Sequence, residues 1–129
     1  MKPFAGNFTQ QEALDDAVIE AATAVLRSGR LHRYNTAPGE LSKVSELEQA
    51  FARFQGARYC LACASGGYAM ATALRAAGLA PGETVLTNAF TLAPVPGAIA
   101  AAGGKPLLVE MTGDLGIDPD DLAKKARSS

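Results

Sequence analysis

The sequence predicts an α/β fold, a mostly parallel sheet with flanking helices. Short, continuous apolar runs occur at residues 58–64, 84–87 and 106–110, bounded by the Gly, Pro and Asn residues that punctuate strands. Longer stretches with apolar residues at helical spacing separate them. Strands without polar alternation, set between helices, belong to a sheet covered on both faces, and such sheets are parallel. The expected core is three parallel strands joined by helical crossovers.

The helices follow in chain order. Thr9-Gln10-Gln11-Glu12 fits a capping box, with Thr9 as N-cap. Leu14, Val18, Ala21, Ala22, Val25 and Leu26 continue it as one stripe, so a helix is expected over about 10–28, ended by Gly29. Residues 30–39 have no period and hold the chain's one histidine, His32, beside Arg30, Arg33 and Tyr34. They read either as a solvated connector or as a loop reaching a binding site. Ser42 or Ser45 caps a second helix with the stripe Val44, Leu47, Phe51 and Phe54, closed by Gly56. A third helix is expected from Tyr68 to Ala77. A fourth starts at Pro94 or Pro96, residues tolerated only in a helix's first turn, and runs to Ala102. Asp118 caps a fifth, with Pro119 at its first position.

The chain is organised around the turn Ser65-Gly66-Gly67. A strand that enters a glycine turn and leaves as a helix gathers free backbone N–H groups and the positive end of the helix dipole at one point. That makes an anion site, above all a phosphate site. The turn is no Walker loop, since no Gly-Lys-Ser/Thr follows, and it lacks the glycine spacing of a dinucleotide fingerprint.

Composition narrows the alternatives. A chain of 129 residues, 48% hydrophobic and 19% charged, is built for a packed core rather than disorder. A net charge of −1, from 12 basic and 13 acidic residues without long blocks, predicts neither nucleic-acid binding nor electrostatic membrane anchoring. The apolar stretches are too short to span a bilayer and no signal-peptide pattern is present, so the expected location is cytoplasmic. Cys60 and Cys63 have redox or metal-pair spacing, but a strand there would turn them to opposite faces, and they read as buried reduced thiols. Asp114, Asp118, Asp120 and Asp121 lack calcium-loop spacing and read as carboxylates favoured near a helix N-terminus.

Several stretches, taken in order, carry a resemblance. They are Ser28-Gly29, Leu47-Glu48-Gln49-Ala50-Phe51-Ala52, Gly56-Ala57-Arg58-Tyr59, Ser65-Gly66-Gly67 and Ala73-Leu74-Arg75-Ala76-Ala77-Gly78-Leu79. Pro81-Gly82-Glu83-Thr84-Val85, Phe90-Thr91, Gly103-Gly104-Lys105-Pro106 and Ile117-Asp118-Pro119 continue the series. From about Ala13 onward the chain resembles the N-terminal part of the DegT/StrS-type sugar aminotransferases, pyridoxal 5'-phosphate enzymes of fold type I.

The resemblance implies a division into N-terminal helices at 1–57 and the start of a cofactor-binding α/β domain at 58–129. It implies that Gly67 and Tyr68 N–H groups hold the cofactor phosphate, with Ser65 and Gly66 shaping the turn, and that the loop carrying Phe90 and Leu92 lies over the pyridine ring. Gly67 stands where the family has threonine, and Leu92 where an aromatic residue commonly stacks, for which Phe90 could compensate. The family's Schiff-base lysine and pyridine-pairing aspartate lie downstream of the matched positions; Lys105, Lys124 and Lys125 do not stand in that motif. The chain is thus expected to be an N-terminal, inactive fragment of a homodimeric enzyme. That enzyme would move an amino group from glutamate or glutamine to a keto-sugar or cyclitol. Two other readings stay open: a small α/β module binding a phosphorylated ligand, and a truncated product without function.

Overall fold

The computed structural model describes residues 3, 6, 7, 9 and 11–128. The chain divides into two compact units between Cys60 and Leu61.

The first unit holds two helices, α1 (Asp16–Ser28) and α2 (Lys43–Gln55). The N-cap of α1 is Asp15, whose carboxylate accepts from the Val18 N–H at 2.9 Å. The expected capping box does not form. Thr9 instead donates its N–H and its hydroxyl to Asn7 Oδ1, at 2.9 and 2.8 Å, and Gln10 lies outside the described residues. An ionised cap followed by acidic Asp16 suits the positive helix end better than a hydroxyl six residues earlier. At α2 the structure selects Ser42 as cap, its hydroxyl accepting from Ser45 N–H at 3.1 Å. Both helices end on the expected glycines, Gly29 and Gly56, at φ 68° and 65°.

The irregular segment between them is tied down. Arg30 pairs with Glu40, Arg33 reaches both oxygens of Glu48 at 2.9 and 2.7 Å, and the His32 ring stacks on Tyr34 at 5.2 Å. A cavity of about 390 Å³, bordered by Val25, His32, Asn35 and Leu41, opens beside it. The apolar stripes of α1 and α2 stay exposed: Ala52 is the one buried residue in the two helices, and Leu47, Phe51 and Phe54 lie open.

The second unit holds α3 (Gly66–Ala76), β1 (Thr84–Asn88), α4 (Pro94–Ala101), β2 (Lys105–Val109) and α5 (Pro119–Ser128). The strands β1 and β2 are parallel, in register from Thr84 opposite Lys105 to Asn88 opposite Val109. Residues 58–64, expected as a third strand, are in no ladder. A strand is defined by bonds to a neighbour, and among the described residues β1 and β2 pair only with each other. Cys60 and Cys63 are therefore not held on opposite faces by a sheet; both are half-buried free thiols.

Small side chains set the core. Ala71, Ala98 and Ala102 let α3 and α4 approach closely, with Met70, Leu74 and Leu79 packed around them, and Val109 is fully buried. Gly104 makes the turn into β2 possible. A Cβ there would sit 2.9 Å from Leu79 Cδ2, 3.2 Å from Glu83 O and 3.2 Å from Ile99 Cγ2. The carbonyl belongs to a backbone that also accepts Lys105 N–H at 2.8 Å and cannot yield freely. Gly104→Ala is expected to cost about 1–3 kcal/mol, read as a lower thermal midpoint; an unchanged midpoint would contradict this packing.

Asp118 caps α5, accepting from Asp120 and Asp121 N–H groups at 2.9 and 3.3 Å. The Asp121 carboxylate accepts from Glu110 N–H at 2.8 Å and from Lys125 at 2.6 Å, fastening α5 to the end of β2. The Glu110 N–H first, then Lys125, holds its carboxyl below the usual range. In the preceding loop the Thr112 hydroxyl, then Gly116 N–H, does the same for Asp114. Both groups bind protons less readily folded than unfolded. Their contribution is present above the ordinary carboxylate range and is lost as pH falls through the folded values. The protection of the Glu110 amide against exchange, relative to an unstructured amide at the same pH, should fall on acidification below about pH 4, while that of core amides such as Ile99 changes less. Equal loss of protection at both would argue against this tether.

Candidate functional site

Ser65 is the N-cap of α3. Its hydroxyl accepts from Tyr68 N–H at 3.2 Å, and its carbonyl accepts from Ala69 N–H at 2.9 Å. The Tyr68 amide is thus engaged within the cap. The first two amides of a helix have no intrahelical acceptor, and none among the described residues takes the N–H of Gly66 or Gly67. Ser65 opens the helix, Gly66 and Gly67 present its unpaired donors, and Tyr68 closes the cap.

Electrostatics favour an anion here. The first turns of α1, α2 and α5 carry acidic side chains that offset the helix dipole, whereas those of α3 and α4 carry none. Neither glycine is at positive φ, so the backbone is helical and glycine is not needed for conformation. What glycine supplies is access: a Cβ on Gly66 would meet nothing within 4 Å, and one on Gly67 would lie 3.7 Å from Pro94 Cβ. A phosphate fits this cradle of two amides, a positive helix end and no covering side chain.

The Gly67–Pro94 approach joins the turn to the segment that follows β1. Asn88 ends that strand, and Ala89 N–H extends the ladder by donating to Val109 O at 2.9 Å. The loop then presents Phe90 and Leu92 as exposed side chains, 65% and 77% accessible, before Val95 N–H closes on Leu92 O at 2.9 Å. The cradle and the loop thus sit at the carboxyl end of β1, where ligands of parallel α/β sheets are bound. The side-chain amide of Asn88, which donates to Phe90 O, is a tie that sequence reasoning missed. Its signal was an Asn at a strand end, since Asn bonds backbone two residues on.

Lys105 and Lys125 are placed elsewhere. Lys125 is bound by Asp121 and by Leu108 O at 2.7 Å, and Lys105 starts β2, the strand end opposite to Asn88 and Val109. Among the described residues no group of His, Cys, Asp and Glu could hold a metal ion, and no helix is long and apolar enough to cross a membrane.

The chain has extensive relatives. It is 35% identical over 102 residues to the UDP-2-acetamido-2-deoxy-3-oxo-D-glucuronate aminotransferase of Pseudomonas aeruginosa, a match covering 79% of this chain and 26% of that protein. To the UDP-4-amino-4-deoxy-L-arabinose–oxoglutarate aminotransferase of Shewanella sediminis it is 32% identical over 102 residues, covering 79% and 24%. The chain therefore spans about a quarter of the length of these relatives. In structure it superposes on the aminotransferase from Psychrobacter cryohalolentis with a TM-score of 0.77 at 20% identity, covering 92% of this chain and 29% of that one. The fold is accordingly the α/β fold of these enzymes, and residues 12–128 match the model of one family. The chain belongs to the DegT/DnrJ/EryC1/StrS aminotransferase family.

Proposed function

We propose that this chain supplies the phosphate-binding part of a pyridoxal 5'-phosphate-dependent aminotransferase that carries an amino group from an amino acid to a keto-sugar or cyclitol. The observation that carries the reading is the cradle: two unpaired amides, Gly66 and Gly67, at a helix end free of acidic side chains, within a family-matched chain. The named substrates of the relatives, UDP-linked sugars and, for one, oxoglutarate, support a sugar acceptor and a glutamate donor. Work as a homodimer in the cytoplasm is part of the same proposal.

The proposed roles are these. Ser65 fixes the first turn of α3 and aims the Gly66 and Gly67 amides, which hold the phosphate. Tyr68 completes the cap. Phe90 and Leu92 offer apolar surface beside the cradle to the body of the ligand and keep water from that side. The bound cofactor supplies the electron sink on which amino transfer depends. The reacting lysine and the pyridine-pairing aspartate are assigned to no residue of this chain.

Three ligands test the proposal on the purified chain: pyridoxal 5'-phosphate, pyridoxal and inorganic phosphate. The expected order is pyridoxal 5'-phosphate tightest, with pyridoxal at least tenfold weaker. If pyridoxal 5'-phosphate binds no better than inorganic phosphate, the reading as a module for phosphorylated ligands in general replaces this one. The chain alone should turn over no keto-sugar with glutamate and pyridoxal 5'-phosphate present, because none of Lys105, Lys124 and Lys125 stands in the motif of the family's reacting lysine. Measurable turnover would refute that.

A further inference from the structure

We infer that Asn88 is a positioning residue that sets the stance of the Phe90–Leu92 loop beside the phosphate cradle, and so the fit of the ligand's ring. The inference rests on the cradle reading above.

Asn88 stands where the rigid part of the unit gives way to the loop. Its backbone is the last rung of β1, opposite Val109, the fully buried residue of β2. Its side chain is half-buried and donates through Nδ2 to Phe90 O. Beyond that bond the loop has few anchors of its own. Ala89 N–H is spent on Val109 O, and the next backbone tie is the Val95 N–H to Leu92 O bond that starts α4. The Asn88 amide is therefore what turns the Phe90 carbonyl back towards the sheet and sets the Phe90 side chain by the same rotation.

Position makes this matter for a ligand. The loop leads into Pro94, the residue against Gly67. An anion held by the Gly66 and Gly67 amides thus has its remaining atoms beside the segment whose course Asn88 controls. An inorganic phosphate does not extend that far; a phosphate carrying a flat ring does. Asn88 should accordingly affect ring-bearing ligands and leave bare phosphate alone, a split that a purely structural role would not give.

The test uses the full chain with Asn88→Ala and the near-isosteric Asn88→Leu, neither of which can donate. Affinities for pyridoxal 5'-phosphate and for inorganic phosphate are measured beside thermal unfolding. The expected result is a loss of about fivefold for pyridoxal 5'-phosphate in both variants, the worth of one hydrogen bond. Phosphate affinity should be unchanged per folded molecule. Unchanged affinity for both ligands overturns the role of Asn88 while leaving the cradle standing. Equal losses for both overturn it too, since they mark a general loosening. Failure of the unsubstituted chain to bind either ligand would overturn the cradle reading and this inference together.

Discussion

Replacing Gly67 by Pro is expected to lower affinity for pyridoxal 5'-phosphate by about one to two powers of ten, because one of the two donors proposed to hold the phosphate disappears. The fold should tolerate the change. Gly67 is the second residue of α3, its N–H has no acceptor among the described residues, and its backbone is already helical. A Cβ at position 67 lies 3.7 Å from Pro94 Cβ, an ordinary contact, and the preceding Gly66 has open space around its own Cβ position. A charge-assisted hydrogen bond contributes roughly 1.5–3 kcal/mol, which corresponds to the stated loss at about 1.4 kcal/mol per tenfold. Circular dichroism beside the titration separates this from unfolding. A folded variant with undiminished affinity would place the phosphate elsewhere.

A larger effect on stability is expected at Val109, fully buried at the end of β2. Val109→Asp puts a carboxylate at a fully buried position, at a cost of about 4 kcal/mol or more. Its carbonyl accepts the Ala89 N–H, so the damage passes to the loop after β1. With domain stabilities of about 5–15 kcal/mol, the second unit should lose cooperative unfolding near room temperature. Retention of a melting transition within a degree or two of the unsubstituted chain would show that Val109 is not a keystone of this core.

What could be read from the sequence was whatever short-range chemistry decides. Gly29 and Gly56 end helices because a left-handed residue is needed there, and Ser42 and Ser65 begin them because a hydroxyl accepts the third amide onward. The strands at 84–88 and 105–109 were legible from apolar runs between turn residues. Residues 58–64 carry the same signal, but a strand also requires a neighbour, and that is a fact about the sheet rather than the segment. The start of α1 was misplaced because two caps competed, and an ionised carboxylate at Asp15 prevails over Thr9, which finds Asn7 instead. At the cradle, the turn and its place before a helix were visible in Ser65-Gly66-Gly67. Which amides stay unpaired was not, since that depends on Ser65 taking Tyr68. For the Asn88–Phe90 tie the sequence offered only the local preference of Asn to bond backbone two residues on; that the bond forms here depends on the loop conformation.

The most direct measurement is a two-dimensional amide spectrum of the 129-residue chain, labelled with nitrogen-15 and titrated with pyridoxal 5'-phosphate and then with pyridoxal. The account predicts that the Gly66 and Gly67 amide signals shift furthest with the phosphorylated ligand and scarcely move with the other. Shifts confined to lysine-bearing segments, or equal shifts with both ligands, would contradict it.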